Sequence, residues 1–168
     1  MTGSTVTRGI HEIPDPGDAG EYRLHPRPVR LLLVEDNPAD VRLVQEGFRA
    51  ADVKPSLNVA YDGAQALAYL RREGAYEAAQ RPDLIFLDLN LPKVSGREVL
   101  QAIKTDPELR RIPVIVWTTS KSERDVSAAY DLQANCYVTK PSDLDAFFRV
   151  IDMAQHFWFD IAVLPPRR

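Results

Sequence analysis

Two acids stand side by side where an oily run stops, in LLLVEDNPAD at residues 31–40. A second oily run, LIFLDLNLP at residues 84–92, also meets an acid, Asp88. Carboxylates at strand ends are common because loops face water. Glu35, Asp36 and Asp88 at the ends of two neighbouring strands are a different matter. Like charges a few ångströms apart repel, and burial sharpens the repulsion, so they call for a cation. Oxygen ligands suit magnesium (Mg2+), which keeps several waters and needs only one or two carboxylates. The reading is that Asp36 and Asp88 ligate the ion directly. Glu35 acts through water or as a weaker ligand, and the Asn90 backbone carbonyl adds an oxygen.

Two further stretches bear on the same corner. YVTKPS, residues 137–142, carries Lys140, whose long stem can reach Asp88 and hold a phosphoryl oxygen. An isolated lysine beside a turn would simply be solvated. The Lys140–Pro141 bond is a candidate cis bond that would aim the lysine inward. VWTTS, residues 116–120, places the Thr118 hydroxyl at a strand end beside Asp88, with Thr119 or Ser120 free to cap the next helix. Together these parts describe a phosphoryl-transfer site with Asp88 as carboxylate nucleophile. Tyr137 can pack inward once Thr118 is drawn toward the modified Asp88; ordinary packing is the alternative.

The elements that must position these residues alternate along the chain. Strands are expected at 29–34, 56–60, 84–87, 113–117 and 136–138. Helices are expected to start at Asn37-Pro38, after Asp62, at Gly96, at Ser122 and at Ser142 or Asp143, the last running to about Phe159. Strand–helix alternation implies an α/β fold: a doubly wound five-stranded parallel sheet with helices on both faces. The order 2-1-3-4-5 is preferred because it sets strands one and three together at the switch point.

The 168 residues suggest one domain, with residues 1–28 as a flexible arm and 160–168 as a tail. A net charge of -3 argues against nucleic acid as a partner. No apolar run approaches membrane-spanning length and the start lacks a signal-peptide segment, so a cytoplasmic location is the default. Cys136, the single cysteine, reads as a buried, inert thiol.

The pattern resembles the receiver domain of bacterial two-component response regulators, over residues 29–159. Glu35-Asp36 is similar to the family's paired acids, with Glu35 in place of the commoner aspartate. DLNLPKVSG, residues 88–96, resembles the phosphoacceptor segment; Thr118, Tyr137 and Lys140-Pro141 resemble the switch hydroxyl, the switch aromatic and the lysine–proline pair. The resemblance implies a flavodoxin-like receiver fold. It implies that Asp88 accepts a phosphoryl group from a sensor histidine kinase, in a reaction the domain catalyses on itself and slowly reverses by hydrolysis. It also implies that helix one, near Asp40, Val41 and Val44, docks the kinase. The long REGAYEAAQRPD connection, DGAQALAYLRREG and the aromatic tail are similar to small regulators paired with bacterial phytochromes, which implies red-light input through the kinase. Only IAVLPPRR follows the last helix, so output is expected through a protein contact, a homodimer change or phosphate flow to another carrier rather than an appended module.

LDAFFRVIDMAQHFWFDIAVL carries more large apolar groups than one sheet-facing stripe needs. Phe147, Ile151 and Trp158 recur at helical spacing, with Phe148 and Phe159 on an adjoining arc. A homodimer through helix four, strand five and helix five explains the surplus, and residues 160–165 would reach across it. His156 is expected at the boundary of this face rather than as a ligand. Two other readings remain at this point: a magnesium-dependent phosphatase or hydrolase with the same nucleophile, and a flavodoxin-like electron carrier. The carboxylates of EDNPAD sit poorly with a flavin phosphate, which favours backbone amides and basic groups.

Overall fold

Leu31, Leu32, Leu33 and Val34 are all sealed from solvent, as are Leu84, Ile85 and Leu87. Runs this apolar belong to strands covered on both faces. The computed structural model, which describes residues 27–49 and 54–167, supplies that cover. The proposed N-terminal arm lies outside the described residues except for Arg27 and Pro28.

The strands are β1 (Arg30–Val34), β2 (Ser56–Ala60), β3 (Leu84–Leu87), β4 (Val114–Thr118) and β5 (Cys136–Thr139). They form one parallel sheet in the order β2-β1-β3-β4-β5. The helices are α1 (Pro38–Arg49), α2 (Gly63–Arg71), α3 (Gly96–Thr105), α4 (Glu123–Asp131) and α5 (Leu144–Gln155). The long connection before β3 holds one 3₁₀ turn, Gly74–Tyr76. Beyond α5 the chain stays helical in wider π-type turns, His156–Ile161.

Alternation along each strand divides the core in two. Leu32, Val34, Ile85, Leu87, Val114 and Val116 pack with Ala66 and Leu70 of α2, Val99, Leu100 and Ile103 of α3, and Ala129 of α4. Leu31, Leu33, Leu84, Phe86, Ile115 and Trp117 face Val41, Val44 and Phe48 of α1 with Phe147 and Ile151 of α5. Edge strand β2 exposes Ser56 and Asn58 and half-buries Leu57 and Val59, as an edge should.

Helix starts follow local chemistry. Asn37 Oδ1 accepts from the Ala39 N–H at 3.0 Å and Asp62 Oδ1 from the Gln65 N–H at 2.8 Å. Ser95 and Glu98 form a reciprocal capping box at α3. Asp143 Oδ1 caps α5 through the Ala146 N–H at 2.8 Å.

Several expectations need correction. Part of the apolar set near the expected kinase-docking end of α1 was expected to face the core, and both Val41 and Val44 do, at 3% and 0% exposure, because the sheet claims the apolar stripe of α1. Phe147, Ile151 and Phe159, expected at a dimer interface, are likewise buried within their own domain. Phe148 and Trp158 are half-buried, while Met153, Phe157 and Ile161 are exposed. Tyr130 of α4 is 51% exposed. Cys136 is half-buried in β5, and burial raises its thiol pKa. The tail folds back on its own domain instead of reaching away: Arg167 grips Asp83 through two contacts, 2.8 Å to Oδ1 and 2.6 Å to Oδ2, and donates to the Pro28 carbonyl. No described helix is long and apolar enough to cross a membrane.

Gly63 opens α2 against the β3–α3 loop, where a Cβ would meet the Val94 carbonyl oxygen at 2.0 Å. A backbone oxygen cannot rotate aside, so Gly63→Ala must separate helix from loop. Urea denaturation should show a loss of about 2 kcal/mol, within the usual range for overpacking; an unchanged midpoint would mean that the two segments part freely.

Candidate functional site

The three acids converge. Ligand atoms from Glu35, Asp36 and Asp88 all lie within 4.8 Å of one another. Adjacent strands cause this: Val34 pairs with Leu87, so the next residues on each strand leave the sheet together. Backbone bonds fix the exits, the Glu35 N–H donating to Ala60 O at 2.9 Å and the Asp88 N–H to Val34 O at 3.0 Å. Asp36 is exposed, whereas Glu35 and Asp88 are 1% and 6% exposed.

Asp88 is held at both oxygens. Oδ1 accepts from the Asn90 N–H at 3.0 Å and Oδ2 from Lys140 Nζ at 2.8 Å. Lys140 also donates to Glu35 and, at 2.9 Å, to Asp40. Burial alone would depress its pKa, but the hydrogen bonds to Asp88 and Glu35 outweigh burial and hold it above the ordinary lysine value. Burial pushes the Glu35 carboxyl up to about 7, against the pull of Lys140 and of the Asn37 N–H on Oε1. The Lys140–Pro141 bond is not cis, since no described peptide bond is. None is needed: the Lys140 N–H bonds Thr118 O at 2.8 Å, so strand pairing already delivers the side chain.

Thr118 is fully buried at the end of β4, and its hydroxyl oxygen has no hydrogen-bond partner among the described residues. Such an atom is destabilising unless something polar comes to it. Tyr137 donates its hydroxyl to Ser120 O at 3.0 Å, tying β5 to the β4–α4 loop. Burial raises its pKa. Asn90 is exposed and contributes its N–H to Asp88. His156 is exposed, 3.1 Å from Asp160 and away from the acidic corner.

Sequence reading missed three supports. Asp40 binds Lys140; its position one helical turn after Asp36 was the available signal. Lys93, in a left-handed conformation at φ 66°, bonds the buried Asp62 at 2.7 Å and clasps the β3–α3 loop to α2. The Lys93 hydrogen bond draws the Asp62 pKa down. Arg97 on α3 pairs with Asp125 on α4, which also accepts from the Ser120 hydroxyl. Nothing in the spacing of Lys93 or Arg97 announces these long-range pairs.

The carboxylates and the single amine suit a hard divalent cation. One lysine faces Glu35, Asp40 and Asp88, with Asp36 alongside, so negative charge remains to be balanced. Removing the lysine should be severe. Lys140→Met leaves buried acids without their partner, and chemical denaturation should report a loss of about 3 kcal/mol; a stability gain would show that the pairing never offset its desolvation.

Comparison with known proteins places this geometry. The response regulator receiver domain profile matches residues 31–152. Response regulator Rcp1 of a Synechocystis species is 49% identical over 138 residues, covering 82% of this chain and 94% of Rcp1. The crystal structure of the phosphorylated cyanobacterial phytochrome response regulator RcpA superposes with a TM-score of 0.81 at 49% identity, covering 83% of this chain and all of that one. The Mn(2+)-bound form of Rcp1 superposes with a TM-score of 0.80 at 48% identity and the same coverage. The chain belongs to the response regulator receiver domain family.

Proposed function

We propose that Asp88 is the phosphoacceptor of a response regulator that takes its phosphoryl group from a sensor histidine kinase and signals by conformational change. The observation that carries the assignment is the Asp88 carboxylate held between the Asn90 N–H and Lys140, with Glu35 and Asp36 against it. A carboxylate oxygen of Asp88 attacks phosphorus. The new P–O bond forms as the bond from phosphorus to the donor's imidazole nitrogen breaks, and the imidazole leaves with the electron pair. Lys140 lies within reach of the product oxygens and offsets their charge. Asp36 and Asp88, with Glu35 and the Asn90 carbonyl, are the residues to hold magnesium. When bound, the ion supplies positive charge to the transferring group and relieves repulsion among the acids. The Mn(2+)-bound form of Rcp1 supports a divalent ion in this class of protein.

The phosphoryl group then gives the unpartnered Thr118 hydroxyl an acceptor. Thr118 turning toward Asp88 pulls on the β4–α4 loop, whose Ser120 carbonyl is what Tyr137 holds. Movement there reaches β5 and α5. The comparisons give no support to the hydrolase or electron-carrier readings. RcpA is described as a phytochrome response regulator, which supports a phytochrome-type histidine kinase as donor. The half-buried Phe148 and Trp158, with exposed Met153, Phe157 and Ile161, support a homodimer through α4, β5 and α5 and the helical turns beyond.

Intact-mass measurement after incubation with a phosphorylated donor kinase or acetyl phosphate should find one added phosphoryl group. Asp88→Asn should show none, and chelating magnesium should suppress the reaction; equal labelling of Asp88→Asn would move the acceptor elsewhere. For the dimer, Phe157→Glu places a charge on the exposed apolar face. Sedimentation should shift from dimer toward monomer, and an unmoved profile would exclude this face.

A further inference from the structure

The end of the sheet remote from Asp88 carries a second concentration of charge. Arg30, Arg72, Arg81, Arg111 and Arg167 line one cavity of about 70 Å³. They come from the start of β1, the end of α2, the approach to β3, the approach to β4 and the tail. Nothing in the phosphoacceptor chemistry uses them.

Only Asp83 and Glu108 oppose them in the cavity wall, and both are engaged. Asp83 takes Arg167 at both oxygens and the Arg30 backbone N–H at 2.8 Å. Glu108 takes Arg81 NH1 at 3.2 Å on its carboxylate and 3.1 Å on its backbone carbonyl. Five arginines against two acids among the lining residues leave an excess of three positive charges at a small recess. Arg81 sharpens the imbalance: its Nε is buried without a hydrogen-bond partner. A guanidinium donor left without an acceptor is costly, so Glu108 alone does not fully compensate Arg81.

We infer that this arginine-lined recess, between β1, the α2 C-terminus and the folded-back tail, binds a small phosphate-type oxyanion. Chemistry selects it. Guanidinium forks match phosphate oxygens in pairs, and several forks from different segments suit a group with oxygens on every side. Arg72 and Arg111 are exposed at the rim, placed to meet a second phosphate outside the recess. Pro165, Pro166 and Arg167 form part of the wall, so occupation also secures the tail against the sheet.

Inorganic pyrophosphate is the probe, titrated calorimetrically into the full chain in chelator at constant ionic strength. Saturable one-to-one binding is expected, with a rise in melting temperature. Arg72 caps α2 in a left-handed conformation at φ 58°, so Arg72→Asn is preferred to alanine there. Arg72→Asn combined with Arg111→Gln should weaken binding about tenfold or more, the loss expected for charge-assisted pairs. Asp88→Asn should bind as the parent does, whatever becomes of phosphoryl transfer. Absence of saturable binding, equal affinity in the double variant, or loss of binding in Asp88→Asn would each overturn the inference.

Discussion

One ammonium group organises the acidic end of this molecule. Lys140 donates to Glu35 from the end of β1, to Asp40 from the first turn of α1 and to Asp88 from the end of β3. Those carboxylates lie far apart in sequence from the lysine that joins them. Their meeting requires β1 beside β3 and β5 two places along, which is the sheet order found. Once the strands are so placed, pairing of β5 with β4 through Thr118 O delivers Lys140 without a special peptide geometry. The lysine does not neutralise the corner. With Asp36 also present, anionic oxygens outnumber it, and burial already drives the Glu35 carboxyl up to about 7. Such an excess of negative charge is the condition that a divalent cation would relieve.

A chain of contacts leads outward from this corner. Thr118 ends β4 with an unsatisfied hydroxyl. Two residues later the Ser120 carbonyl holds Tyr137, and the Ser120 hydroxyl binds Asp125, which pairs with Arg97. The β4–α4 loop is thereby tied to β5, α3 and α4 at once. The Asp62–Lys93 clasp works on the other side, holding the β3–α3 segment against α2.

Sequence carried the fold well because the strongest signals are apolar. The runs ending at Val34 and Leu87 are continuous since both sheet faces are covered, and Asn37, Asp62, Ser95 and Asp143 stand where helix donors need partners. The three acids were legible for the same reason, each following a buried strand. The ion pairs of Lys93 and Arg97 were not, because charge at an exposed position is consistent with plain solvation until the fold names a neighbour. The apolar surplus after Leu144 misled in part. Helical spacing identifies a stripe but not its partner, and Phe147, Ile151 and Phe159 prove to be the stripe that the domain keeps for itself.

That division clarifies how the last helix can join a response to a contact. Its inner face meets Trp117, the residue before Thr118, with the Trp117 and Phe147 rings 5.2 Å apart and near perpendicular. Its outer positions, Met153 and Phe157, face solvent. The helix therefore stands between the strand that carries the unsatisfied hydroxyl and an exposed apolar surface. Trp117 and Thr118 are consecutive in β4 and point to opposite faces of the sheet, so only a displacement of the strand backbone reaches both. The half-buried Phe148 and Trp158 line the boundary between the two faces, where small rotations change exposed apolar area most. The acidic corner, the buried aromatic stack and the outer apolar face are thus successive layers, joined through neighbouring strands and the last helix.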